Sequence, residues 1–286
     1  MTIKQLFATL TLISLGGFSY ADNHNAASFK VTELKPSLLL LQGKGGNIAV
    51  SRGEDGLLII DDDYADMSNA LKAEIDKLGG MNKLKFILNT HWHADHTGGN
   101  AELGNTVNIV AHDNVRKRLS RPGEVAFFNM TSAAQPKHAL PNLTYPDSLR
   151  IHFNNQDITL QHYANGHTDG DSVVYFKQAN VIHMGDHMFN TMFPFVDIGS
   201  GGNAVSLTNN VAQILTTIDD QTVVIPGHGP VTDKQGLSAY LNMLQGTIAE
   251  VKAMKKSGLT IEQAQKKGLS QQWQVWNVGF IKQDNW

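Results

Sequence analysis

At 286 residues, 41% of them hydrophobic and only 17% charged, the chain has ample apolar material for one large or two small domains, which argues against disorder. Its 23 basic residues against 26 acidic ones leave a formal charge of −3, so it lacks the basic field that nucleic-acid binders use. Cysteine is absent, which excludes disulfides and thiolate ligands and leaves any metal to nitrogen and oxygen donors.

In chain order, residues 1–21 read as a secretory signal: Lys4 gives a positive start, residues 6–15 are mostly apolar, and Ser19-Tyr20-Ala21 has the small-x-small form of a cleavage site. The mature chain would then begin near Asp22, in the periplasm or outside the cell. No later apolar run approaches the ~20 residues needed to span a bilayer.

Short apolar runs at 37–41, 47–51 and 56–60, punctuated by glycine and aspartate, predict a meander of strands. Ser68 is placed to cap a helix carrying Leu71, Ile75 and Leu78 on one face, and Gly79-Gly80 ends it. A strand over 84–89 leads into a histidine cluster. Another strand covers 107–111, and Asp113 is placed to cap a short basic helix over 114–119.

Residues 121–143 show no clear period and read as a loop with some helix. Runs at 149–153, 158–163, 172–176 and 180–184 predict a second meander. Residues 204–218 have helical spacing, 222–225 form a buried strand, and Asp233 caps a long helix reaching Gly258. No fixed-period repeat, linker or low-complexity tract divides the chain, so residues 22–286 read as one domain.

The chemistry concentrates after the 84–89 strand, where His91, His93, Asp95 and His96 fall within six residues. In an extended or turning loop, residues two apart can face one ion while Asp95 and His96 turn toward a neighbour. Three further residues sit at strand ends or glycine turns: His167, Asp186 and His228. Strand ends converge on one rim of a sheet, so folding would gather them.

The stretch Thr90-His91-Trp92-His93-Ala94-Asp95-His96 resembles the His-x-His-x-Asp-His signature of the metallo-β-lactamase superfamily, and His167, Asp186 and His228 match in order and setting. The resemblance covers roughly residues 38–229. It implies an α/β (α+β) fold, a four-layer αββα sandwich with metals at one edge. It further implies that His91, His93 and His167 hold one metal, that Asp95, His96 and His228 hold a second, and that Asp186 bridges them. Asp61, ending the 56–60 strand, resembles the buried aspartate that supports the metal loop from behind.

Five imidazoles and two carboxylates favour two zinc ions, with iron, manganese or cobalt as other N/O-site metals. Two such ions roughly 3.5 to 4 Å apart would clamp a substrate carbonyl, with a metal-bound hydroxide as nucleophile and Asp95 as acceptor of its proton. The expected activity is hydrolysis of an ester, lactone or amide/β-lactam bond in a small molecule. Asp186 in the bridging place is similar to glyoxalase II and lactonase relatives, whereas the absence of cysteine excludes one major group of zinc β-lactamases. Two rivals stand beside this reading: an iron-dependent persulfide-dioxygenase-like enzyme, and a non-catalytic periplasmic metal-binding protein.

Of the other histidines, His183 reads as a core residue, His187 as an open candidate for the site, and His112, His138, His152 and His162 as structural or exposed. Phe189, Met192, Phe193 and Phe195 read either as an apolar wall of a substrate pocket or as core. Trp273, Trp276, Phe280 and Trp286 are expected to pack back onto the domain.

Overall fold

The computed structural model describes residues 27–286; the expected signal segment, residues 1–21, lies outside them. The chain starts with strands β1 (Lys30–Lys35), β2 (Leu38–Gln42), β3 (Ile48–Gly53) and β4 (Gly56–Ile60), then helix α1 (Ser68–Lys77) and strand β5 (Leu84–Leu88). Two single-turn helices, α2 (Ala94–Thr97) and α3 (Asn100–Leu103), precede β6 (Asn108–His112) and α4 (Asp113–Leu119). A hairpin of β7 (Gly123–Val125) and β8 (Met130–Ser132) leads to β9 (Leu143–Tyr145). The second half holds β10 (Ser148–Phe153), β11 (Gln156–His162), β12 (Ser172–Phe176), β13 (Val181–His183), α5 (Ala204–Leu215), β14 (Val223–Ile225), α6 (Lys234–Lys256) and α7 (Ile261–Lys267).

The strands form a seven-stranded sheet, β1-β2-β3-β4-β5-β6-β9, and a five-stranded sheet, β10-β11-β12-β13-β14. Strands β2 to β4 read as continuous apolar runs because both faces are covered. Leu39, Leu41, Val50 and Ile59 point outward to Leu71 and Ile75 of α1. Leu38, Leu40, Leu58 and Ile60 point inward to Ile158, Leu160, Val174 and Phe176 of the second sheet. That sheet's far face, with Val173, Ile182 and Val224, packs on Leu207 and Val211 of α5 and on Leu237 and Leu244 of α6. The layers therefore run helix, sheet, sheet, helix. Each fully buried leucine or isoleucine contributes about 1.5–3 kcal/mol of burial free energy.

Local chemistry departs from expectation at two helix starts. Ser68 is the first helical residue rather than the cap, and its hydroxyl is buried without a partner. At α4 the cap is His112, whose Nδ1 accepts from the Asn114 amide at 3.2 Å, and Asp113 lies inside the helix. Asp233 caps α6 as expected, and Asn203, not singled out in the sequence, caps α5.

Beyond β4, the first sheet continues parallel through β5, β6 and β9, and β13 pairs parallel with β14. Parallel strands place their carboxyl ends on one edge, the usual seat of ligands in such sheets. Asp61 follows β4, the His91 cluster follows β5, Asp186 follows β13 and His228 follows β14. His167 lies in the β11–β12 connection on the same edge, since His162 pairs with Ser172 and Val174 with His183.

Candidate metal centre

All seven ligand candidates meet at this edge. One group gathers donor atoms of His91, His93, His167 and Asp186, and another those of Asp95, His96 and His228, each within 4.8 Å. In the first, His93 Nδ1 lies 3.1 Å from His91 Nε2 and 2.8 Å from His167 Nε2. In the second, His228 Nε2 lies 3.2 Å from Asp95 Oδ2 and 3.4 Å from His96 Nε2.

Asp186 touches both groups. Its Oδ2 is 3.8 Å from His91 Nε2 and 3.4 Å from both His167 Nε2 and His228 Nε2, and its Oδ1 is 3.2 Å from His96 Nε2. Oδ1 is buried and makes no hydrogen bond. The backbone leaves it room: a Cβ at Gly227 would collide with Asp186 Oδ1, and one at Gly46 would collide with the His96 ring.

Four imidazoles are oriented from outside. His96 Nδ1 donates to Asp61 Oδ2 at 2.8 Å, and His167 Nδ1 donates to the Phe195 carbonyl at 2.8 Å. His91 Nδ1 donates to Thr90 Oγ1 at 3.0 Å, which in turn donates to Asp61 Oδ2 at 2.8 Å. His93 Nε2 donates to Asp197 Oδ2 at 3.0 Å. With the outer nitrogens holding the protons, the inner nitrogens present converging lone pairs, an arrangement that a cation satisfies and neutral imidazoles alone do not. The donor set therefore fits metal.

Asp61 takes left-handed backbone, φ 62°, a conformation aspartate tolerates better than most residues. It also accepts from the Thr90 amide at 2.7 Å, so one buried carboxylate fixes two imidazoles and the loop between them. Asp63, also left-handed, accepts from the amides of Lys44, Gly45 and Tyr64 and shapes the rim.

The electrostatics divide the two groups. Burial drives His91 well below the usual imidazole value and His167 down to about 4. Burial also opposes charge on His228, but Asp186 and Asp95 outweigh it and raise this group to about 9. His96 is raised in the same way by Asp186, Asp95 and Asp61. Conversely, Asp95 and Asp186 sit well below the carboxylate range because their histidine neighbours outweigh desolvation. At His96 and His228 both partners of the carboxylate contact shift in the sense that favours positive charge, whereas His91 and His167, which also face Asp186, stay neutral because burial dominates.

Beside the ligands opens a cavity of about 790 Å³, lined by His93, Asp95, Asp186 and His228 together with Trp92, Phe128, Phe189, Phe195 and Phe280. Phe189 and Phe195 thus form a wall, whereas Phe193 is core and stacks on Trp286 at 6.2 Å, and Met192 packs against the same core. Phe280 does not join the core: it is half-exposed over the cavity, while Trp273 is buried. His187 is buried but lines no part of this cavity; its Nε2 accepts from Asn210 at 3.2 Å. His183 is a core residue donating to the Asn47 carbonyl at 2.9 Å.

Asp197 and the β7–β8 hairpin were not legible as site elements. The available signal for Asp197 is one acid after the apolar Phe193–Val196 stretch, just before the Gly199–Gly202 turn. The hairpin strands are three residues long, too short to show a period.

A model of the metallo-beta-lactamase superfamily matches residues 43–228. The chain belongs to that superfamily. A probable metallo-hydrolase of Bacillus subtilis is 28% identical over 172 residues, covering 57% of this chain and 78% of that protein. A probable metallo-hydrolase of Methanocaldococcus jannaschii is 24% identical over 233 residues, covering 79% and 97%. Among solved structures, a metallo-beta-lactamase from Pontibacter korlensis superposes with a TM-score of 0.62 at 19% identity, over 76% of this chain and 99% of that one. At that identity the likeness bears on the fold, and it agrees with the four layers described above. The chain is thus an enzyme of the metallo-hydrolase superfamily, carrying a His/Asp cluster able to bind metal.

Proposed function

We propose that the protein is an exported binuclear zinc hydrolase that cleaves an ester, lactone or amide/β-lactam bond of a small molecule. The observation that carries this reading is Asp186, one buried carboxylate within 3.8 Å of four imidazoles drawn from both donor groups. A carboxylate so placed suits a bridge between two cations. His91, His93 and His167 would hold one ion, and Asp95, His96 and His228 the other.

Zinc suits imidazole and carboxylate donors, as iron and manganese also do. Bound there, the metals would supply Lewis-acid polarisation of the carbonyl and a water of lowered pKa. The chain's own part is positional. Asp61, Asp197, Thr90 and the Phe195 carbonyl hold the rings; Asp95, whose side chain faces the cavity, holds and accepts the proton of the attacking water. The apolar wall limits bulk water around the reacting bond.

An iron-dependent dioxygenase reading needs a single metal and leaves Asp95, His96 and His228 without a duty. A non-catalytic metal-binding protein has no use for an open cavity on its ligands. Export rests on residues 1–21, and mass spectrometry of periplasmic protein would show a start near Asp22. An intact Met1 form confined to the cytoplasm would overturn export.

The testing experiment is turnover of a simple ester, a lactone and a chromogenic β-lactam by zinc-loaded protein. Hydrolysis of at least one, abolished by chelation and restored by zinc, supports the reading. No turnover of any, with oxygen consumption by the iron form on a persulfide, would replace it.

A further inference from the structure

The cavity lining divides sharply by chemistry. Beside the ligands and the polar side chains of Glu124, Thr131 and Ser132, aromatic rings run from the ligand imidazoles to solvent. Phe189 stacks on His228 at 5.0 Å, Phe280 lies 5.8 Å from Phe189 and 5.9 Å from His228, and Phe128 lies 4.8 Å from Phe195 and 6.0 Å from Phe280. Phe189 and Phe195 are buried, but Phe128 and Phe280 remain 38% and 51% exposed. A single exposed phenylalanine is ordinary; two from segments some 150 residues apart, meeting over the mouth of a cavity, form an apolar surface with a purpose.

Charge points the same way. Among the described residues on this lining, Lys44 is the one cation besides the imidazoles, and its Nζ is held by Asp66 at 2.5 Å. Asp66 and Glu124 add carboxylates to the same lining. A neighbouring cavity of about 970 Å³ contains Arg118, Arg121 and Lys252, but it lies across the β7–β8 hairpin. The hairpin tip sends Phe127 to that side and Phe128 to the metal side. Arg118 is itself paired with Asp169 at 2.6 Å.

We propose that the metal cavity selects uncharged substrates with an apolar acyl group, seated between Phe128 of the hairpin and Phe280 of the C-terminal segment. The proposal rests on the hydrolase reading for its reaction, but the wall makes its own prediction about binding. Phe128 and Phe280 are the specificity-determining residues, since among the phenylalanines on this lining they are the two whose rings the fold leaves substantially exposed.

The test is a series of p-nitrophenyl esters from acetate to octanoate, with the hemisuccinate as a charged counterpart of the butyrate. Zinc-loaded protein should show kcat/KM rising about 4-fold for each methylene that the wall buries. The hemisuccinate should fall at least about tenfold below the butyrate, the cost of pressing a carboxylate against the apolar wall where no lysine or arginine faces it. Phe128→Ala and Phe280→Ala should each lower the octanoate-to-acetate ratio about tenfold, and Phe280→Leu should recover most of it. Equal turnover of butyrate and hemisuccinate, or an unchanged ratio in both alanine variants, would overturn the proposal while leaving the hydrolase reading intact. If no ester is cleaved, calorimetry with N-methyloctanamide and its charged counterpart 8-(methylamino)-8-oxooctanoate, which carry the chain on the acyl side, decides the matter separately. Tighter binding of the neutral amide, lost in Phe128→Ala, supports the wall, and equal binding overturns it.

Discussion

His93 Nε2 donates to Asp197 Oδ2 at 3.0 Å, so Nδ1 is the nitrogen that faces His91 and His167. Asp197 also accepts the Ser200 amide through Oδ1, which ties the ring to the Gly199–Gly202 turn. Removing such a partner typically lowers metal affinity 10- to 100-fold. Asp197→Ala should therefore weaken zinc binding by about that factor, read by chelator competition, with the circular dichroism of the fold retained. Unchanged affinity would mean that the His93 orientation is fixed by other contacts.

Asn47 links the two halves behind His228. Its Nδ2 donates to the carbonyls of Pro226 and Gly229, each at 2.9 Å, and its own carbonyl accepts from His183. Asn47→Ala leaves the buried Pro226 carbonyl and the part-buried Gly229 carbonyl without this partner and should cost about 1–3 kcal/mol in urea unfolding. Because the freed loop carries His228, the same variant should release one of two bound ions more readily than the other. A loss of stability with both affinities intact would separate the loop from the site.

Stability of the metal-stripped protein should fall as pH rises from 6.5 to 9. His228, raised to about 9 by Asp186 and Asp95 against the effect of burial, stabilises the fold fully below its ordinary 6.5 and loses that contribution by pH 9. Asp171, raised by burial to about 8, changes in the same direction over this window. Zinc bound at the proposed site would displace the His228 proton, so the rise in melting temperature on adding zinc should grow over the same interval. Melting curves at pH 6.5, 8 and 9, with and without chelator, measure both trends; a flat profile for the stripped protein would contradict them.

Asp95 and Asp186 have different surroundings and should fail differently. Asp95 lines the cavity with its side chain 18% exposed, while Asp186 is buried among imidazoles. Asp95→Asn keeps the shape but is a poor proton acceptor, and it should lower kcat about 10²- to 10⁴-fold with less effect on metal content. Full activity with two metals bound would remove Asp95 as the base.

Much of this site is legible in the sequence because its residues fall at strand ends. The alternation and runs of β2 to β5 and β10 to β13 locate the edge, and His91 to His96, His167, Asp186 and His228 follow directly from it. What sequence does not expose are contacts made between distant segments. Strand β1 carries Lys30, Thr32, Glu33 and Lys35, too polar to read as a strand, and is held by pairing with β2. Asp197 resembles any turn aspartate until His93, 104 residues away, is placed beside it. Phe280 reads as packing onto the domain and Phe128 falls in the loop-like 121–143 stretch, because periodicity cannot distinguish a ring facing a cavity from one facing the interior.

The most direct test is the metal content of purified, dialysed protein beside its Asp186→Ala variant, measured by elemental analysis after saturation with zinc. Two ions per wild-type chain, and fewer than two with weaker retention in the variant, are the expected result. One ion per chain at saturating zinc, with Asp95, His96 and His228 dispensable for its binding, would contradict the two-metal centre, and iron alone in the protein as isolated would favour the dioxygenase rival.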